Sequence, residues 1–311
     1  MTKPLNALLC ALTAWALSAC EPAEDPARLE RWSLTSQLDG SERDYFVYLP
    51  EGYNAQPDKR WPTILFLHGN GERGNGKSEL DYVLTHGPLY EAWVQKRNLP
   101  FVIIAPQLPM FDFASTNNYF NERTFDQIPR RQYDGTPERE KPQRLTQPMI
   151  SYPATDSMSE IDPLLPKGWE TIEKDLLEML SETRRKLRVD KNKTYLTGLS
   201  YGGFGSWYMA SKYPETFAAV APVAGWGHPS LMTSISQAQV PVWCFAGGMD
   251  PVIPIQHFYP GLNLLRDNSS ADIRFTIHAD MAHDVWRRVY AGEDIYHWFL
   301  QHSTDTHPTD Q

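Results

Sequence analysis

Cysteine, positive charge and long apolar runs are all scarce in this chain, and each scarcity closes off a class of protein. The three cysteines are Cys10, Cys20 and Cys244, and only the last lies beyond residue 20. No disulfide can therefore form within the body of the chain, even in an oxidising compartment. Cys244 stands in the apolar run Val242-Trp243-Cys244-Phe245 and is expected to be an inert core thiol. A formal net charge of −9 and a pI near 5.5 leave no basic stripe to offset phosphate repulsion, which argues against a nucleic-acid partner. No H-E-x-x-H and no close cysteine–histidine spacing occurs, so neither metal catalysis nor another cofactor is expected. The longest apolar stretch, Leu5 to Ala19, is too short to cross a bilayer as a mature helix. No internal repeat is visible. What remains is ordinary globular composition, 41% hydrophobic and 22% charged, in 311 residues that suit one large α/β domain.

The first residues read as a targeting segment. Lys3 supplies its positive end, the apolar stretch follows, and Leu17-Ser18-Ala19-Cys20 resembles the lipobox of bacterial lipoproteins. That resemblance implies a signal peptide over 1–19 and a Cys20 thiol that accepts a diacylglyceryl group. Glu21, rather than an aspartate, after the cysteine implies the outer membrane of a Gram-negative cell. An ordinary secretory signal cut elsewhere, or a short anchor, is the competing reading. A polar tether over 20–30, a catalytic domain over 31–301 and a frayed polar tail over 302–311 are expected to follow.

Two strand-like runs, Arg31 to Leu38 and Arg43 to Leu49, flank Asp39-Gly40, a hairpin signal. Trp61 to Leu67 (WPTILFL) and Phe101 to Ala105 (FVIIA) are continuous apolar runs, as strands buried on both faces require. A helical stretch around Leu89 to Arg97 separates them. From Leu108 to about Lys167 periodicity vanishes in a segment rich in proline, asparagine and aromatics. It reads as an insertion forming a cap or a wall of a binding cleft; the alternative is a surface embellishment. Trp169 to Leu187 places Trp169, Ile172, Leu176, Leu180 and Leu187 on one helical face. Further strands are expected at Thr194–Thr197, Ala218–Val223, Val240–Phe245 and Asp272–Ile277, with a last helix at Asp294–Leu300. Strands alternating with helices imply a mostly parallel central sheet with helices on both faces.

The stretch Lys193 to Gly203 (KTYLTGLSYGG) organises the rest. A β-rich run leads into Gly198-Leu199-Ser200-Tyr201-Gly202, and helix-compatible residues follow. This strand–turn–helix pattern is a nucleophile elbow. The serine occupies a strained turn, so its neighbours two positions either side must lack a Cβ to let strand and helix pass. The turn presents Oγ and aims the backbone N–H of Tyr201 at a developing oxyanion. A glycine-rich turn with a solvent-facing serine is the plain alternative. Two more reactive residues follow strands, Asp250 in Met249-Asp250-Pro251 and His283 in Ala282-His283-Asp284. Individually, Asp250 could be a turn residue before proline, and His283 competes with His278 and seven others. Jointly, the chain order Ser…Asp…His and the strand-end positions point to the α/β-hydrolase arrangement. In that arrangement Ser200 is the nucleophile, His283 the base and Asp250 the residue orienting it.

Leu67-His68-Gly69-Asn70-Gly71-Glu72-Arg73-Gly74 follows a central strand, where a second oxyanion donor, the N–H of Asn70 or Gly71, is expected. His68 reads as a structural histidine that ties down this loop. Glu72 and Arg73 are expected to pair with each other in preference to binding substrate. The same region contains a rival motif: Gly71 to Ser78 satisfies G-x-x-x-x-G-K-S, a phosphate-binding loop. Glu72 inside that cradle and the lack of a strand ending in a magnesium-binding aspartate count against it. A non-catalytic protein that uses the cleft only to bind is a third reading.

Together, LHGNGERG, IIAPQ, YLTGLSYGGFGSW, FAAVAPVAG, PVW before GGMDPVIP, and HDVW before Tyr290 resemble bacterial α/β-hydrolase esterases. The group is that of dienelactone hydrolases, polyhydroxybutyrate depolymerases and feruloyl esterases, including a branch described as predicted peptidases. The resemblance covers most of Trp61 to Leu300 apart from the insertion. It implies a cofactor-free serine esterase with Ser200, Asp250 and His283 as triad and Tyr201 with the loop after His68 as oxyanion hole. Departures are the insertion and Gly225-Trp226-Gly227-His228, where Trp226 would narrow the pocket; Trp286 is the other expected pocket wall. Esters are expected over amides because an alkoxide leaves more readily, with a serine peptidase as the nearest alternative. The substrate would be a small-molecule ester or one linked to a polysaccharide or polyester.

Overall fold

The computed structural model describes residues 25–141 and 158–306. The expected signal peptide, Cys20 and the first part of the tether lie outside the described residues. Among the described residues, no helix is long and apolar enough to cross a membrane.

Eight strands form one sheet in the order β1-β2-β4-β3-β5-β6-β7-β8. They are β1 (Arg28–Thr35), β2 (Glu42–Leu49), β3 (Trp61–Leu67), β4 (Val102–Ala105), β5 (Val189–Leu199), β6 (Ala219–Val223), β7 (Val242–Gly247) and β8 (Ile273–His278). The hairpin β1–β2 and the β2–β4 pair are antiparallel, and every later pairing is parallel. All seven residues of β3 are buried, as its unbroken apolar run requires. Its alternate side chains enter two different cores: Leu65 and Leu67 on one face, Ile64 and Phe66 on the other.

The first core is closed by Trp169, Ile172, Leu176 and Leu180, the stripe expected for Trp169–Leu187, together with Phe204 and Trp207. That stripe begins as a 3-10 turn, Trp169–Ile172, and becomes α-helix at Glu173–Lys186. Leu187 is its extended cap rather than its last turn. The second core is closed by Leu80, Val83 and Leu89 and by Val289, Ile295, Trp298 and Phe299. Helices thus cover both faces, and the last of them spans Asp294–Leu300 as expected.

Several boundaries move. The first strand begins at Arg28, inside the expected tether, because Arg28 pairs with Leu49 in the hairpin register. The helix expected from Leu89 to Arg97 starts earlier, at Gly87, and ends at Val94. Residues 302–306 of the expected frayed tail are docked: Asp305 accepts from Asn192 Nδ2 at 2.6 Å and the His302 carbonyl accepts from Tyr195 at 3.0 Å. Within the insertion, short turns at Phe113–Thr116, Tyr119–Glu122 and Phe125–Gln127 carry Phe120 into a buried position. The insertion is also tied down by charge. Arg123 donates to the carbonyls of Gly71 and Arg73 at 2.9 and 2.6 Å and pairs with Glu79 at 2.8 Å. Part of the insertion therefore stands against the loop after β3.

Candidate active site

The elbow is built by close backbone approach. Ser200 adopts φ 51° and ψ −115°, a left-handed conformation costly for a residue with a Cβ. It is held there by its N–H donating to Val223 O at 2.9 Å and its carbonyl accepting from Phe204 N at 3.1 Å. The flanking glycines are sterically obligatory. A Cβ on Gly198 would lie 2.3 Å from Gly202 O, and one on Gly202 would lie 1.8 Å from Leu67 O. The helix Tyr201–Lys212 starts directly after the serine.

Three strand ends then bring their side chains together. His283 Nε2 lies 3.0 Å from Ser200 Oγ, and His283 Nδ1 lies 2.7 Å from Asp250 Oδ2. The Asp250 side chain is 1% exposed, while that of His283 is 21% exposed. Asp250 is itself aimed: its Oδ1 accepts from the N–H groups of Val252 and Ile253 at 2.8 and 2.9 Å. The turn role that Asp250 could have played and the histidine-orienting role thus coexist, one on each oxygen. With Asp250 accepting from Nδ1–H, Nε2 is left as the acceptor for the serine hydroxyl. His278, the competing histidine, ends β8 and instead lies beside Arg288, with Nδ1 3.4 Å from the guanidinium.

The loop after β3 is a short 3-10 turn, Asn70–Glu72. His68 anchors it as expected: Nε2 accepts from Leu108 N–H at 2.9 Å, and Nδ1 lies 2.6 Å from Gly69 O. With both ring nitrogens used and the ring buried, its pKa is pushed down to about 3 by desolvation, so the ring is neutral. The expected Glu72–Arg73 pair does not form, because successive residues of the turn face opposite ways. Glu72 is buried with Oε2 3.8 Å from His68 Nδ1 and Oε1 3.8 Å from His86 Nε2. Burial pushes its carboxyl up to about 7. Arg73 instead donates to Asn70 Oδ1 at 2.6 Å and to the carbonyls of Pro109 and Lys167 at 2.9 and 2.8 Å.

The phosphate-loop motif has no free cradle. The N–H groups of Gly74, Asn75, Gly76 and Lys77 already donate to Leu108 O, Glu79 Oε2, Gln107 Oε1 and Asn75 Oδ1. The Lys77 ammonium pairs with Asp44 at 2.6 Å, and the following element, Leu80–Thr85, is a 3-10 rather than an α-helix. A phosphate would find neither amides nor lysine available.

The two tryptophans part company. Trp286 lies edge-on to His283 at 5.0 Å and tilted against His86 at 5.7 Å. Trp286 and His86 both line a cavity of about 600 Å³, with Tyr90, Arg139 and Tyr290 among its other walls. Trp226 is buried, edge-on to Phe204 at 4.8 Å and tilted against His257 at 6.1 Å, and does not line that cavity. His86 was not legible as a site residue, since nothing local to Thr85-His86-Gly87 marks it.

The model of the Esterase family matches residues 36–294. The chain belongs to the esterase family. This esterase is 36% identical over 73 residues to poly(3-hydroxyalkanoate) depolymerase C of Paucimonas lemoignei, a match covering 24% of this chain and 17% of that protein. Its fold is similar to that of a thermostable esterase, with TM-score 0.63 and 23% identity over 88% of this chain and 63% of the other. It is also similar to a protein of Klebsiella pneumoniae described as a dienelactone hydrolase, with TM-score 0.53 and 14% identity over 88% and 99% of the two chains. The chain thus spans less than two thirds of the depolymerase and of the thermostable esterase. The sheet and its helical layers give this member of the esterase family the α/β-hydrolase fold.

Proposed function

We propose that Ser200, His283 and Asp250 are the catalytic triad of this esterase and that the reaction runs through an acyl-enzyme. The reading rests on the unbroken hydrogen-bond line from Ser200 Oγ through the imidazole to Asp250, at 3.0 and 2.7 Å. Ser200 Oγ attacks the ester carbonyl carbon as its proton passes to His283 Nε2, and Asp250 stabilises the imidazolium through Nδ1–H. The carbonyl oxygen becomes an oxyanion, received by the N–H of Tyr201 and that of Asn70 or Gly71. Collapse expels the alkoxide, which takes the proton from His283. A water then loses its proton to His283, attacks the acyl-serine and restores Ser200. Esters are favoured over amides because the alkoxide leaves without prior protonation of an amine.

Trp286 forms one wall beside His283, and the cavity behind it accepts part of a small-molecule, polysaccharide-linked or polyester-linked ester. A signal peptide over 1–19 and a diacylglyceryl group on Cys20 would hold the catalytic domain at the outer membrane of a Gram-negative cell. Replacing Cys20 by alanine should then move the protein from the membrane to the soluble fraction.

The test is a panel of p-nitrophenyl esters of rising acyl length beside feruloyl and peptide substrates, with Ser200→Ala, Asp250→Asn and His283→Ala measured singly. Each variant should lose about 10⁴-fold or more of turnover with its fold intact. Retained labelling of Ser200→Ala by an organophosphonate would refute the assignment, and faster cleavage of peptides than esters would favour a peptidase.

A further inference from the structure

Arg73 is 0% exposed and forms no direct ion pair among the described residues, the Glu170 carboxylate acting on it only at longer range. A buried guanidinium with no carboxylate in contact is expensive. Its hydrogen bonds go to neutral groups, one of them the side chain of Asn70. Its carbon lies 4.8 Å from the ring centre of Tyr201, the residue after the elbow serine, and 4.5 Å from that of Phe113 in the insertion. Arg73 therefore touches two of the residues assigned to the oxyanion site, Asn70 and Tyr201. Desolvation lowers its pKa to about 10, which still leaves it cationic at neutral pH.

We propose that Arg73 is an electrostatic positioning residue for the esterase reaction. It holds Asn70 and Tyr201 in place and keeps the oxyanion site positive, so that the tetrahedral intermediate meets a cation with no carboxylate in contact. The charge interacts weakly with a neutral bound ester and strongly with the oxyanion, which is differential stabilisation of the transition state. The three carbonyl and amide partners fix the guanidinium before substrate arrives, so no reorganisation accompanies the reaction. This inference rests on the triad and oxyanion assignments above.

The test compares two inhibitors on wild type and Arg73→Met, which keeps bulk and removes charge. Phenylboronic acid is converted at the serine into a tetrahedral anion: a bond forms between Ser200 Oγ and boron, and the hydroxyl proton moves to His283. Acetanilide, by contrast, binds as a neutral ground-state ligand. The boronate inhibition constant should rise by about 10- to 100-fold and kcat should fall comparably, with acetanilide affinity unchanged within about twofold. Arg73→Lys should recover part of the boronate affinity. Should Arg73→Met not fold, Arg73→Gln gives the same neutral comparison while keeping hydrogen-bonding groups. Equal losses for both inhibitors, or no loss for either, would overturn the proposal and leave Arg73 as a strut for the insertion. Failure of the boronate to inhibit wild type would instead count against Ser200 as nucleophile.

Discussion

Gly202→Ala sets two physical effects against each other, and the coordinates decide between them. Replacing a helical glycine with alanine ordinarily stabilises a helix by about 0.5–1 kcal/mol, through lower unfolded-chain entropy. Here the new methyl would lie 1.8 Å from Leu67 O and 2.5 Å from Leu67 C, where ordinary contact begins near 3.4 Å. Neither atom belongs to a side chain that can swing away; both are backbone at the end of a central strand. The elbow helix and that strand must separate by more than an ångström, and overpacking of this kind costs about 1–3 kcal/mol or more. The clash outweighs the propensity gain, so a net loss of about 2 kcal/mol is expected in urea denaturation. The same separation moves Ser200 away from the loop after β3. A misplacement of about 1 Å lowers turnover by about 100-fold. Turnover should be normalised by active-site titration with an organophosphonate. Gly292→Ala is the control: it has φ −74° and its nearest neighbours would be 3.4 and 3.6 Å away, so it should stay within about 0.5 kcal/mol of wild type. A Gly202→Ala protein as stable and as active as wild type would refute the steric account of the elbow.

Glu72→Gln tests the buried carboxyl. Its pKa rises from 4.5 to about 7 on folding, so between those values the folded state holds a proton that the unfolded state has lost, and stability falls as pH rises. The glutamine variant lacks this slope and should gain about 3 kcal/mol relative to wild type between pH 4 and 8, measured by urea titration across pH. His68 acts with the opposite sign. Its pKa falls from 6.5 to about 3, so the unfolded state takes up the proton first and stability is lost as pH drops below 6.5. His68→Asn should flatten the acid side of the stability profile. Cys244 is fully buried, and desolvation raises its thiol pKa well above the ordinary value; it should resist alkylation until the protein is unfolded, as mass spectrometry can follow.

Features set by neighbours a few residues apart were legible in the chain. The unbroken run Trp61–Leu67 could only be a strand buried on both faces, and the Trp169–Leu180 stripe could only face a core. The glycines around Ser200 announced the elbow because the constraint they relieve is local backbone sterics. The order of Ser200, Asp250 and His283 followed from the alternation of strands and helices, which puts successive strand ends at one rim. Partnerships were not legible, because they depend on how loops close across tens of residues. Arg73 finds Lys167, 94 positions away, rather than its neighbour Glu72. His86 meets Trp286 only because the helices after β3 and β8 lie on the same face of the sheet. Trp226 and Trp286 are both tryptophans beside loops, and only tertiary packing decides that the first is buried against Phe204 while the second lines the cavity. Periodicity and turn sterics are properties of a short segment and survive without the fold; burial of a charge and the identity of its partner exist only once the segments have been brought together.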